Sequence, residues 1–271
     1  MRVSFTKMHG LGNDFVILDN RNGGLPELTN AVAAALANRT TGIGCDQLIL
    51  LESDESGDSD FRMRIFNADG SEVEACGNAS RAVALLHGES ARVATDGGLI
   101  ALEPAEGGAR VDMGTPRFEW QEIPLAYAMD TLSMPVAWGP LENPAAVNVG
   151  NPHVIFFTDD TNAVELDNLG PEIEHDPLFP DRINVNVATI EDRNHIRLRV
   201  WERGVGLTRA CGTGACATAV AAMRRGLVER EVTVALPGGP LQIEWTNDNR
   251  ILMTGPATLS FVGTFEWSDF A

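Results

Sequence analysis

The sequence predicts an α+β protein built from two similar domains. Three observations carry that reading. The chain has 271 residues, 44% of them hydrophobic, which is enough for more than one core. It is also written twice: FRMRIFNADGSEVEACGN (61–78) aligns with IRLRVWERGVGLTRACGT (196–213) at a constant offset of 135 residues, 196 minus 61. Each copy alternates apolar residues with arginine, the period of a half-buried strand, and then runs through a loop into a cysteine and a small-residue helix.

The echo extends along each half. LGNDFVIL (11–18) parallels VGNPHVIF (149–156) and pairs Asn13 with Asn151. GGLIALE (97–103) parallels GGPLQIE (238–244), and VDMGTP (111–116) parallels LMTGPA (252–257). Each half therefore reads as several short strands with one helix directly after its cysteine, Cys76 or Cys211. The first domain is expected over residues 1–116 and the second over 117–257, with a proline-bearing crossing segment at 118–144. The tail 258–271 has no partner inside the second repeat and is expected to return as a strand to the first domain. ESDESGDSD (52–60) reads as a solvated loop between strands.

Composition excludes several classes. A net charge of −18, from 20 basic and 38 acidic residues, argues against a nucleic-acid partner, which would require a basic face. No apolar run approaches the roughly 20 residues of a membrane span. The start, MRVSFTKMHG, has no apolar signal core, so a cytoplasmic location is expected. Lys7 is the only lysine, which disfavours a pyridoxal Schiff base, and no cofactor is expected. Four cysteines in a chain of this length, without a signal peptide, do not make a disulfide framework. Cys211 and Cys216 are five apart with no histidine nearby, so no metal site is expected.

The two repeated cysteines stand where chemistry is available. At the first turn of a helix, Gly77-Asn78 and Gly212-Thr213 supply free backbone N–H groups and the positive end of the helix dipole. Such a mouth is expected to lower a thiol pKa and to seat a carboxylate. Two such domains facing one another would hold a small carboxylate between two thiols. One cysteine as thiolate would remove a proton from carbon, and the other as thiol would return one to the opposite face. That is racemisation or epimerisation without a cofactor. A lone cysteine beside glycine is more often inert packing, and Cys45 and Cys216 are read that way, because neither has a cysteine counterpart in the other half.

KMHGLGNDFVILD (7–19), GIGCDQL (42–48), IFNADGSEVEACGN (65–78), GNPH (150–153), INV (183–185) and WERGVGLTRACGTGACA (201–217), in that order, resemble the diaminopimelate epimerase family across essentially the whole chain. The resemblance implies a fold of two pseudo-symmetric domains, each a curved mixed sheet around a central helix, with Cys76 and Cys211 as acid and base in the cleft. It implies conversion of LL-diaminopimelate to the meso isomer. Substrate ligands carried over by motif are Asn13, Gln47, Asn67, Asn151, Asn184, Glu202 and Arg203, with the backbone of Gly77, Asn78, Gly212 and Thr213. His153 and Glu202 fall where the family places groups that tune the thiols, and a homodimer is implied. Two positions depart from the family: Ala79 stands for the usual glycine after Cys76-Gly77-Asn78, and Phe261 for a common tyrosine near the dimer contact. The remaining readings are a proline or hydroxyproline racemase of the same fold, a carboxylate-binding protein without catalysis, and a thiol-redox protein.

Overall fold

The computed structural model describes residues 1–74, 77–105 and 108–271. Cys76 lies outside the described residues, and so does Ala75. The chain divides into two compact units, residues 1–111 with 255–271, and residues 112–254.

The first unit runs β1 (Arg2–Gly10), β2 (Asn13–Asn20), α1 (Asn30–Ala37), β3 (Gln47–Glu52), β4 (Phe61–Asn67), β5 (Glu72–Val73), α2 (Gly77–His87), β6 (Ala91–Thr95), β7 (Gly98–Ala105) and β8 (Gly108–Asp112). The second begins with a short hairpin, β9 (Ala137–Trp138) and β10 (Leu141–Glu142). It continues with β11 (Ala145–Asn148), β12 (Pro152–Phe157), α3 (Leu166–Glu174), β13 (Asn184–Ile190), β14 (His195–Glu202), β15 (Gly206–Thr208), α4 (Gly212–Arg224), β16 (Glu231–Leu236), β17 (Gly239–Trp245) and β18 (Ile251–Gly255). The last strand, β19 (Thr258–Glu266), pairs antiparallel with β1, Arg2 opposite Glu266, and belongs to the first unit.

The two units share one pairing scheme. In the first, β1–β2 is antiparallel, β2–β3 parallel, β3–β4 antiparallel, β4–β6 parallel and β6–β7 antiparallel. In the second the same order of senses runs through β11, β12, β13, β14, β16 and β17. A parallel pair requires a long crossover, commonly a helix. Among the described residues each half therefore holds two α-helices where one was expected. The extra ones, α1 and α3, cross between the two strands of the first parallel pair. Alanine-rich NAVAAALA gave little amphipathic signal to reveal the one, and the Gly170-Pro171 pair inside LDNLGPEIE reads as a break in the other.

The helices after the cysteines are central ones. Gly77 to Ala84 are all buried in α2, as are Gly212 and Gly214 to Ala222 in α4. A helix buried all round must be small on every face, which the alanines supply. The α4 helix packs against β11, β12, β13, β14, β16 and β17, and α2 against β1, β2, β7 and β19. The arginines of the repeated strands point outward, as the alternation predicts: Arg62 pairs with Asp96 at 2.6 Å and Arg64 with Glu72 at 2.7 Å. Ala79 is helical and buried, so alanine replaces glycine there without backbone strain. Among the described residues no helix is long and apolar enough to cross a membrane.

A second core lies under α1, where Val32, Ala33 and Leu36 meet Val16, Leu18, Leu48, Leu50 and Trp267. Trp267 follows β19 and ties the tail into this cluster. Replacing Trp267 with alanine is expected to lower the unfolding free energy by about 3 kcal/mol, through lost burial and a residual cavity. Urea denaturation checks this, and an unchanged midpoint would contradict it.

Candidate active site

Cys211 is the N-cap of α4. Its backbone is extended (φ −132°, ψ 108°), and the Gly214 N–H donates to Sγ at 3.3 Å. The sulfur thus takes the place of the oxygen that usually caps a helix. Gly214 has to be small here: a Cβ would stand 3.2 Å from that sulfur and 3.0 Å from Val200 Cγ2. Thr213 Oγ1 lies 3.5 Å from the same sulfur.

The strands of the second unit end around this mouth. Glu202 closes β14, accepts the Thr208 hydroxyl at 2.5 Å and lies close enough to Cys211 for its charge to act on the thiol. Burial holds its carboxyl above the usual carboxylate range. Asn184 opens β13; its Oδ1 accepts the Arg203 N–H at 2.9 Å, and its Nδ2 donates to the Pro152 carbonyl at 2.8 Å. Arg203 is exposed and donates to the Asp181 carbonyl. His153, fully buried on β12, has Nε2 3.0 Å from Asn151 Oδ1 and 3.1 Å from Thr213 Oγ1. Burial and the nearby Arg203 charge push its pKa down to about 4, so the ring is neutral at pH 7. Asn151, His153, Asn184, Glu202, Arg203, Cys211, Gly212 and Thr213 therefore form one cluster.

One expectation is reversed for Cys211. The helix mouth was expected to lower its pKa. Burial, followed by the Glu202 charge, instead pushes the thiol well above its ordinary value, and the hydrogen bonds with Thr213 and the Gly214 N–H only partly oppose them. The sulfur rests as a thiol. Cys45 is also held protonated, its pKa pushed up to about 11 chiefly by burial.

The first unit gathers a matching set. β3 pairs with β4 so that Gln47 faces Asn67, and Gln47 Nε2 donates to Asn67 Oδ1 at 3.4 Å. Among the described residues Gln47 Oε1 is buried without a hydrogen-bond partner, as an acceptor reserved for a ligand would be. Asn13 leaves the β1–β2 turn, where Leu11 and Gly12 both take positive φ (55° and 98°). Asp14 and Asp46 hold that turn: each accepts the other's backbone N–H, and Lys7 and Arg39 pair with Asp14 at 2.6 Å each. Gly77 and Asn78 start α2, where Asn78 Oδ1 accepts from Arg81 at 2.7 Å.

The sequence reading missed three buried polar groups. Glu174, at the end of α3, accepts both the Trp201 indole N–H at 2.7 Å and the Gly204 N–H at 2.9 Å, so it clamps the turn that carries Glu202 and Arg203. Asn186 and Thr218 back His153 from β13 and α4. An asparagine inside the apolar strand NVNVATI was the available sign, since asparagine is depleted in strands.

Two repeated α+β halves, each with a buried central helix, define a fold that recurs in solved structures. A phenazine biosynthesis protein of the PhzF family from Enterococcus faecalis superposes with TM-score 0.71 at 16% identity, covering 98% of this chain and all of that one. A hydroxyproline epimerase from Agrobacterium vitis gives 0.67 at 14%, covering 97% and 92%. At such identities the likeness concerns the fold alone. Within it, residues 5–119 and 145–260 match the sequence profile of diaminopimelate epimerase. The diaminopimelate epimerase of Erythrobacter litoralis is 72% identical over the full length of both chains. The chain belongs to the diaminopimelate epimerase family.

Two outcomes follow from the charges at the α4 mouth. Glu202→Gln removes the anion beside Cys211, so the alkylation rate of Cys211, followed by mass spectrometry against pH, is expected to rise at a lower pH than in the wild type. An unchanged profile would contradict the role of Glu202. His153 has a folded pKa below its unfolded value, so its stabilising neutrality is complete above pH 6.5 and is lost as pH falls toward 4. Within that window it should steepen the fall in unfolding free energy by about 1.4 kcal/mol per pH unit. His153→Gln should remove that part of the slope in pH-dependent denaturation.

Proposed function

We propose that this chain inverts one α-carbon of LL-diaminopimelate to give the meso isomer, using Cys76 and Cys211 as paired proton carriers and no cofactor. Family membership and the 72% identity to a diaminopimelate epimerase support the reaction. The observation that carries the role of Cys211 is its placement: a buried thiol capping α4, bonded to the Gly214 N–H and beside the Glu202 carboxylate. Cys76 stands at the corresponding position of the repeat, directly before α2.

The reaction balances with these two groups. One cysteine, as thiolate, takes the α-hydrogen: the C–H bond breaks, an S–H bond forms, and the electron pair moves from Cα toward the carboxylate. The other, as thiol, gives its proton to the opposite face of Cα, and its S–H bond breaks. The reverse reaction exchanges the roles. Backbone N–H groups at Gly212-Thr213 and Gly77-Asn78 receive the reacting carboxylate and stabilise its growing charge. The resting thiol state of Cys211 suits it to donate first. When the resting Cys211 thiol must instead act as the base, Glu202 stands ready to receive its proton.

Diaminopimelate has a second amino-acid end that has to be gripped for one centre alone to invert. Arg203 offers a fork for the distal carboxylate. The side-chain oxygens of Asn67, Asn151 and Asn184, with Gln47 Oε1, suit the distal ammonium, and Asn13 completes the polar lining. A proline-type substrate has no second head group to use them.

A cytoplasmic homodimer completes the reading. On β19, Leu259, Phe261 and Val262 are 48%, 50% and 69% exposed, an apolar strip that a second copy would cover. Light scattering at micromolar concentration should give twice 29.1 kDa, and Phe261→Glu should shift it toward the monomer. A wild-type monomer would reject the dimer.

For the reaction itself, reduced enzyme is incubated with LL-diaminopimelate and the meso isomer is quantified. Cys76→Ala and Cys211→Ala should abolish turnover, while Cys45→Ala and Cys216→Ala keep most of it. No turnover of diaminopimelate alongside turnover of proline would reject the proposal.

A further inference from the structure

His153 does not sit alone behind Cys211. Its Nδ1 is 3.1 Å from Asn186 Oδ1. Asn186 Nδ2 donates to the Gly214 carbonyl at 2.9 Å and to Thr218 Oγ1 at 2.9 Å. All three side chains, His153, Asn186 and Thr218, are 0% exposed.

The repeat supplies an internal control. The ladders place Asn186 against Ile155 and Val200 in the second unit, and Ile49 against Ile17 and Ile65 in the first. Ile49 is therefore the counterpart of Asn186. By the same registers Phe15 matches His153, and by the 135-residue offset Val83 matches Thr218. Phe15, Ile49 and Val83 are also 0% exposed. One half thus builds this part of its core from three apolar side chains, and the other from three hydrogen-bonded polar ones. The fold does not require the polar set, and burying it is costly unless every partner is satisfied.

Proton counting fixes the orientation. A neutral imidazole has one N–H, yet an asparagine oxygen faces each ring nitrogen. Asn186 cannot turn over, because a carbonyl already holds its amide nitrogen. For Asn151, the side-chain hydrogen bond among the described residues is the one to His153, so this amide can turn. We infer that Asn186 is a positioning residue that locks His153 in the Nδ1–H tautomer, leaving Nε2 as an acceptor for the Thr213 hydroxyl. Thr213 then commits its proton to the ring and presents lone pairs to the Cys211 thiol. The sulfur is held in its donor form, in one orientation, at the α4 mouth. Arg203 is the charged group acting on the ring, and beyond Thr213 lie Cys211 and Glu202.

The kinetic consequence rests on the proposed epimerase reaction; the tautomer does not, and the test separates them. Uniformly 15N-labelled full-length protein without substrate is examined at neutral pH by two-bond 1H–15N ring correlations. His153 is picked out from the five histidines by its loss in His153→Gln. The expected pattern is a protonated Nδ1 and a bare Nε2. An Nε2–H tautomer or an imidazolium in the wild type would overturn the inference. Asn186→Ile, the residue the first half uses, should move His153 away from the Nδ1–H form and lower kcat by about 10²-fold with KM little changed. A folded variant that keeps the wild-type tautomer would also overturn it. If the wild-type tautomer is as expected but no variant or wild type turns over diaminopimelate, the reaction assignment fails and the role of Asn186 in orienting the ring stands.

Discussion

A helix buried on every side has few places left where its backbone still seeks partners, and the N-terminus is the most demanding of them. In α4 the residues from Gly214 to Ala222 are buried without interruption, so the free N–H groups and the positive end of the dipole concentrate at Gly212 to Gly214. The rest of the site is arranged around that constraint. Cys211 caps the end with sulfur. Glycines keep the approach open. The ends of β12, β13 and β14 bring His153, Asn184 and Glu202 to the same point. The ordinary expectation that such a mouth acidifies a thiol fails here because a dry site and a neighbouring carboxylate outweigh a few oriented dipoles. The balance suits an acid that must keep its proton until a carbanion forms.

Duplication supplies the scaffold, and divergence between the copies supplies the chemistry. The pairing sense is the same, strand for strand, through both units, and each parallel pair is bridged by a helix. Yet the residues behind the two helix mouths differ in kind. In the first unit a buried arginine, Arg81, holds Asn78 from within α2. In the second, Cys216 occupies the Arg81 position and Thr213 is held instead from the strands through His153. A reaction that inverts one carbon needs two groups in opposite protonation states at the start of each turnover. Two identical halves would not readily give that difference.

Much of this was legible in the sequence. The offset of 135 residues exposed the duplication because strand and helix residues are constrained alike in both copies, whereas loops are not. FRMRIF and IRLRVW announced half-buried strands through their period of two, and the arginines do lie on the outer side. The helix-mouth cysteine could be read from glycines that have no other reason to cluster there. Less visible were α1, whose alanines blur the helical period, and α3, whose Gly170 and Pro171 read as breakers. Least visible were Glu174, Asn186 and Thr218. Each acts through a partner far along the chain: Glu174 through Gly204, Asn186 through His153, Thr218 through Asn186. No local pattern records such a contact. The depressed tendency of a thiol to ionise was likewise beyond the sequence, since it depends on how completely water is excluded.

The central claim is that two single-proton groups work from opposite faces of one carbon. Its most direct test is where deuterium appears in the first moments of turnover in deuterated water. A thiolate that removes hydrogen keeps it as S–H, while the opposing thiol delivers solvent deuterium. With LL-diaminopimelate as substrate, the meso product formed at early times should therefore carry deuterium at the inverted carbon, and the unreacted substrate should still carry hydrogen. Deuterium entering recovered substrate as fast as product would mean that one group shuttles the proton on a single face, and would contradict the account.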